Sequence, residues 1–179
     1  MPELRNLIPN PKPTSTAGWM RFGDCDVRMV EAGDAICVRN NSGGGGRGID
    51  LSMPSIPAGE YVAACSGDFA EYERGETVLL IKKNAKYIVA NRLDGSHEYI
   101  ASFVLADPGC NILITPPAAQ GAAVNVKRFL MCTKEDWEQM QALHVAWFDG
   151  DGIVGGGGGL PSRRLYPHVD RRTALVVVA

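Results

Sequence analysis

No stretch of this chain reaches the roughly 18 uncharged apolar residues that a membrane-spanning helix needs, and no basic segment followed by a hydrophobic one opens the sequence. A helical span is therefore excluded, and no secretory leader is expected. Positive charge is not in excess either. Eighteen Lys and Arg against 20 Asp and Glu leave a formal charge of -2, whereas gripping many phosphates needs a concentrated positive field. Nucleic acid is not an expected partner.

The chemistry of common active sites is also thin. Histidine occurs only at His97, His144 and His168, no GxSxG, HxH or HExxH pattern is present, and nucleophilic or zinc chemistry lacks its usual spacing. Five cysteines, Cys25, Cys37, Cys65, Cys110 and Cys132, form no CxxC knuckle. Buried, reduced thiols are the expectation. The glycine runs Gly43–Gly46 and Gly155–Gly159 are not followed by Gly-Lys-Ser/Thr, so neither is a phosphate loop. Both read as flexible loops or linkers.

What the sequence does contain is β-structure. Its 179 residues are enough for one domain with one core, and 45% apolar against 21% charged residues is ordinary for a globular chain. Short runs recur between turn signals at Asp26–Glu31, Ala35–Arg39, Gly48–Met53, Glu60–Cys65, Thr77–Lys83, Lys86–Arg92, His97–Ala106, Asn111–Thr115 and Val124–Met131. That spacing predicts an all-β sandwich or barrel. Asp94–Gly95 suits a tight hairpin because both positions tolerate positive φ. After it, Tyr99, Ala101, Phe103 and Leu105 alternate with Ile100, Ser102 and Val104, which places the first set on the core face. Trp19 is expected in the core as well.

One segment is helical by pattern. Thr133 followed by Asp136 resembles a capping box, and Trp137, Met140 and Leu143 recur at helical spacing, predicting a helix over Thr133–His144 that covers one edge or end of the sandwich. Ahead of the strands, prolines at 2, 9, 11 and 13 predict an extended arm or first edge strand. Behind the second glycine run, Leu175, Val176, Val177 and Val178 form a β-prone stretch too apolar to be left in water, and an assembly contact is expected there.

Three sets of residues are candidates for a site. Asp68, Glu71, Glu73 and Glu76 cluster in one loop, where paired carboxylates would serve glycoside hydrolysis, but a solvated loop explains them without chemistry and no enzyme is expected. Asp149 and Asp151, alternating with glycine in Trp-Phe-Asp-Gly-Asp-Gly, are the carboxylates that would ligate calcium if any metal binds; no other cofactor is expected. Trp19, Tyr61, Tyr72, Tyr87, Tyr99 and Trp147 are the aromatics on which a sugar ring would stack, and the sequence does not say which of them face water.

Two segments carry a resemblance. Arg5-Asn6-Leu7-Ile8-Pro9-Asn10-Pro11 with Gly18-Trp19 is similar to the start of many minor tail proteins of actinobacteriophages. Lys127-Arg128-Phe129-Leu130-Met131-Cys132-Thr133, the helix, and Trp147-Phe148-Asp149-Gly150-Asp151 resemble the end of the same domains. The resemblance implies a jelly-roll β-sandwich like a galactose-binding, carbohydrate-binding module. It also implies a virion protein of the tail tip or baseplate, made in the host cytoplasm and partnered by other tail proteins and by copies of itself. The alternative within the same resemblance is a module that attaches the virion to host cell-surface glycan. An N-terminal arm over 1–17, a sandwich over 18–154 and a glycine linker with an assembly tail over 155–179 complete the expected organisation.

Overall fold

A computed structural model describes residues 4–73, 75–84, 86–92 and 98–142 of the chain. It is an all-β sandwich of two antiparallel sheets with one short helix. The strands are β1 (Trp19–Phe22), β2 (Cys25–Met29), β3 (Ile36–Asn40), β4 (Gly48–Met53), β5 (Gly59–Asp68), β6 (Leu79–Lys83), β7 (Lys86–Val89), β8 (Asn91–Arg92), β9 (Glu98–Leu105), β10 (Cys110–Ile114) and β11 (Ala123–Thr133), and α1 spans Lys134–Ala142. One sheet has the order β1-β4-β10-β6-β7 and the other β2-β3-β11-β5-β9-β8.

Alternation builds the interior. Ile49, Leu51 and Met53 of β4, Ile112 and Ile114 of β10, and Ile81 of β6 point inward from the first sheet. They meet Val38, Val126, Ala63, Tyr99, Ala101 and Phe103 from the second. The expected core face of β9 is therefore the observed one, and Phe103 is buried while Ser102 and Val104 are exposed. Trp19 is half-buried, and its ring lies 4.8 Å from that of Phe129.

β11 contains a bulge. Lys127 pairs with Ser66 but Leu130 pairs with Ala64, so one extra residue is inserted. Arg128 absorbs it at φ 53. The inward series thus passes from Val124 and Val126 to Phe129 and Met131, while Leu130 and Cys132 turn outward.

Those outward residues are covered. Leu4, Val62, Leu130, Cys132 and Met140 form a second apolar cluster, with Ala64, Ile100 and Trp137 packed against it. The helix therefore lies on the outer face of the six-stranded sheet, rather than at an edge or end of the sandwich. Thr133 Oγ1 accepts a hydrogen bond from the Asp136 amide at 3.1 Å, the N-cap expected from the sequence.

The arm is fastened to the same bulge. Asn6 Nδ2 donates to the Phe129 carbonyl at 3.0 Å, Asn6 Oδ1 accepts from the Met131 amide at 3.2 Å, and the Phe129 amide donates to Pro11 O at 2.8 Å. Leu4 sits in the helix-side cluster and Ile8 in the main core. The arm is thus packed into the body and is not an edge strand.

Two expectations need correction. The stretch Lys86–Arg92 is not one strand: β7 pairs with β6 in one sheet and β8 with β9 in the other, and the buried Ala90 marks the crossing. Gly43–Gly46 is not a flexible linker. The fully buried Asn40 donates through Nδ2 to the carbonyls of Gly44, Pro117 and Ala118 at 3.1, 2.8 and 3.1 Å, and its Oδ1 accepts from the Gly43 amide and Arg47 Nη1, both at 2.8 Å. Gly43, Gly44 and Gly46 supply the positive φ that wraps the loop around this amide. Gly155–Gly159, the hairpin residues Asp94–Gly95, and Leu143 and His144 at the end of the expected helix lie outside the described residues.

Candidate functional site

The two outer faces of the sandwich differ. The helix and Leu4 close part of the six-stranded one, and among the described residues no helix covers the five-stranded one. Strand register fixes the outward positions of the latter, of which Leu113 on the central strand is buried. Met20, Asp50, Leu113, Leu80 and Val89 lie side by side across β1, β4, β10, β6 and β7. One step along, Ser52, Asn111, Lys82 and Tyr87 form a second row across β4 to β7.

Adjacent strands sit about 4.8 Å apart, so the second row extends for roughly 14 Å. The first row is mostly apolar and the second mostly polar, ending on an aromatic ring. Among the described residues, the exposed large hydrophobics are Met20, Tyr87, Val89 and Val104, at 70%, 54%, 53% and 66%. Three of these four stand on this one face, so the exposure is concentrated rather than scattered.

The polar groups are arranged among themselves. Asn111 Nδ2 donates to Asp50 Oδ1 at 2.7 Å, which leaves the second Asp50 oxygen and the Asn111 carbonyl as acceptors. Lys82 Nζ lies 5.7 Å from the centroid of the Tyr87 ring, within cation–π range. Ser52 is exposed, and Asp50, Leu80, Lys82 and Asn111 are half-buried. The arrangement suits a ligand with an apolar flat side and a rim of hydroxyls, since it offers a ring face beside donors and acceptors.

Of the aromatics singled out from the sequence, Tyr87 alone is exposed among those described. Tyr61, Tyr72 and Tyr99 are buried, and Phe69 and Tyr99 meet edge-to-face at 4.8 Å. Burial pushes the Tyr72 hydroxyl pKa far up, and that hydroxyl donates to the Thr115 carbonyl. Trp147 lies outside the described residues. The residues that sequence reasoning missed are Met20, Asp50, Ser52, Lys82 and Asn111. Each stands at an outward alternation position, but only the cross-strand register brings them together.

Three acids of the 68–76 loop, Asp68, Glu71 and Glu76, are held to backbone. Glu76 accepts from the amides of Glu73 and Ala118 through its two oxygens, both at 2.8 Å, and Glu71 accepts from the Ala123 amide at 2.9 Å. Asp68 accepts from the Ala70 amide at 3.2 Å. Glu71 and Glu76 tie the loop to the start of β11 and to the segment before it.

A cleft of about 450 Å³ runs between the start of β5 and α1, lined by Gly59, Glu60, Tyr61, Lys134, Glu135 and Glu138. Lys134 spans it to Glu60 at 2.8 Å, and that hydrogen bond raises the ammonium pKa. The cleft presents no exposed aromatic face, because Tyr61 is buried.

Among the described residues no group of three or more His, Cys, Asp or Glu is placed to hold a metal ion. Asp149 and Asp151, the assembly residues Leu175, Val176, Val177 and Val178, and His97, His144 and His168 all lie outside those residues. The five cysteines are buried as free thiols. Burial raises the Cys110 pKa to about 11 and pushes that of Cys132 higher still. No helix of the described residues is long and apolar enough to cross a membrane.

No protein-family model matches the chain, and no curated protein does. Among solved structures it is similar to the CBM22-1 xylan-binding domain from Paenibacillus barcinonensis Xyn10C, with a TM-score of 0.49 and 11% identity over 74% of this chain and 96% of that one. It is also similar to a family 29 carbohydrate-binding module, with a TM-score of 0.41 and 12% identity over 74% and 92%. A second form of that module, complexed with mannohexaose, gives 0.36 and 15% over 65% and 81%.

Proposed function

We propose that this chain is a non-catalytic carbohydrate-binding module whose ligand lies across the outer face of the five-stranded sheet. The observation that carries this reading is the gathering of Met20, Tyr87 and Val89, three exposed apolar side chains, beside Asp50, Ser52, Lys82 and Asn111 on that face. A glycan buries little apolar area per ring and needs many hydrogen bonds, so an open sheet face with one aromatic and several polar groups matches it. In the setting that the sequence resemblance implies, the module attaches a phage tail to cell-surface glycan. On that reading Leu175–Val178 joins it to the rest of the particle through strand addition. Calcium, if it binds, takes Asp149 and Asp151 as ligands and stabilises the end of the domain.

Retention of the purified chain on insoluble cell-wall polysaccharide, or its retardation in gels containing soluble glycans, tests the proposal. Tyr87→Ala should lower affinity at least about tenfold, on the scale of one lost aromatic stacking contact. Because Tyr87 is exposed, the variant should unfold within about 0.5 kcal/mol of the parent chain. Undiminished binding by Tyr87→Ala would move the ligand off this face.

A further inference from the structure

Lys82 is placed unlike the other charges of the five-stranded sheet. Its cross-strand neighbours on the outer face are Asn111 and Tyr87, and Leu80 precedes it on the same face of β6. Asp50 stands two strands away and already accepts from Asn111. Among the described residues no ion pair includes Lys82. Its stem is half-buried and its ammonium stands over the Tyr87 ring. The flat aromatic surface of the candidate site therefore lies beside a positive charge that, among the described residues, no carboxylate pairs with.

We infer that the ligand of this face is an acidic glycan, one carrying a carboxylate on the sugar that stacks against Tyr87, and that Lys82 selects it. The inference rests on the carbohydrate-binding reading above and names its ligand class. A neutral sugar must displace the ammonium from the ring and gains only a hydroxyl contact in return. A uronic acid places its carboxylate at the rim of the pyranose ring, one carbon out, where an ammonium lifted from the ring face meets it. The cation–π contact is then exchanged for a charge-assisted hydrogen bond, which is the stronger interaction. Asp50 does not oppose this, because it sits at the far end of the platform beside Met20 and is engaged by Asn111. Charge complementarity at Lys82 thus separates acidic from neutral glycans, while Tyr87 contributes to both.

The test compares three soluble uronans (polygalacturonate, alginate and hyaluronan) with their carboxyl-reduced forms, neutral xylan and mannan, and poly-glutamate as a polyanion without sugar. The parent chain should bind at least one uronan roughly tenfold more tightly than its reduced form, and 1 M salt, which shortens the screening length to about 3 Å, should remove most of that preference. Lys82→Met should abolish the preference and the salt dependence, so that a uronan and its reduced form bind alike. Tyr87→Ala should weaken both. Equal binding of acidic and reduced polymers, binding of neutral glycans alone, or an undiminished preference in Lys82→Met would overturn the inference and leave the carbohydrate-binding reading intact. Poly-glutamate bound as tightly as the uronans would overturn it as mere charge attraction. Failure of every glycan to bind would overturn both.

Discussion

Cys132 shows how a single side chain couples the sandwich to its helix. It points outward from β11 into the cluster of Leu4, Val62, Leu130 and Met140, where burial disfavours the thiolate. The folded pKa therefore lies above the unfolded value of about 9, and the stability this thiol lends is fully present below that pH. It is lost as pH rises, by about 1.4 kcal/mol per pH unit once the unfolded chain ionises first. Replacing Cys132 by Ala removes that dependence. The stability gap between parent and variant, measured by urea unfolding under reducing conditions, should thus shrink between about pH 9 and pH 10.5. A constant gap would mean that Cys132 ionises as readily in the fold as outside it.

Other residues were only half legible. Tyr87 was visible as an aromatic in a β-prone run, but so were Tyr61 and Tyr99, which the structure buries. What separates them is which sheet face each strand turns outward, a property of pairing and not of local sequence. The acids between Asp68 and Glu76 were a cluster in the sequence as well. Their backbone partners at Glu73, Ala118 and Ala123 come from both near and distant segments, so only the folded chain accounts for them.

At the scale of elements, local chemistry read well where it was self-contained. The alternation in β9 and the Thr133 cap of α1 both act over a few neighbouring residues, and both appear as expected. The bulge in β11 was not anticipated, although the parity change from Val124 and Val126 to Phe129 and Met131 already requires one extra residue. The glycine run Gly43–Gly46 misled for the opposite reason: its order comes from Asn40, a side chain outside the run, and from carbonyls nearly 80 positions away.

The arm and the bulge explain each other. Arg5–Pro11 and Lys127–Thr133, the two segments that carry the sequence resemblance, are hydrogen-bonded through Asn6, Leu7 and Pro11, so neither is an independent signature. Asn6→Ala removes the donor to Phe129 O and the acceptor for the Met131 and Ile8 amides. It should cost roughly 1–3 kcal/mol in denaturant unfolding. It should also speed exchange of the Leu7 and Phe129 amides while leaving that of Ile112 in β10 largely protected. Unchanged exchange at Leu7 would show that the prolines alone hold the arm in place.

For the molecule as a whole, a sandwich with one face under a helix has one other broad face to offer. Among the described residues, the 5-stranded sheet presents it with Met20, Tyr87 and Val89 exposed, whereas Val104 is the exposed large hydrophobic of the opposite side. All-β architecture was readable from the spacing of short runs. The assignment of strands to two sheets was not, because β7 and β8 form one continuous run in sequence and part company only at Ala90.

The placement of the ligand is tested most directly by nuclear magnetic resonance of the isotope-labelled chain, titrated with the glycan that it retains. The account predicts that the Met20 methyl, the Tyr87 ring and the Val89 methyls shift progressively and saturate together, while Val104 and the cleft residues Glu60 and Lys134 stay still. Saturating shifts at Val104 or around Lys134, with the Tyr87 ring unmoved, would contradict it.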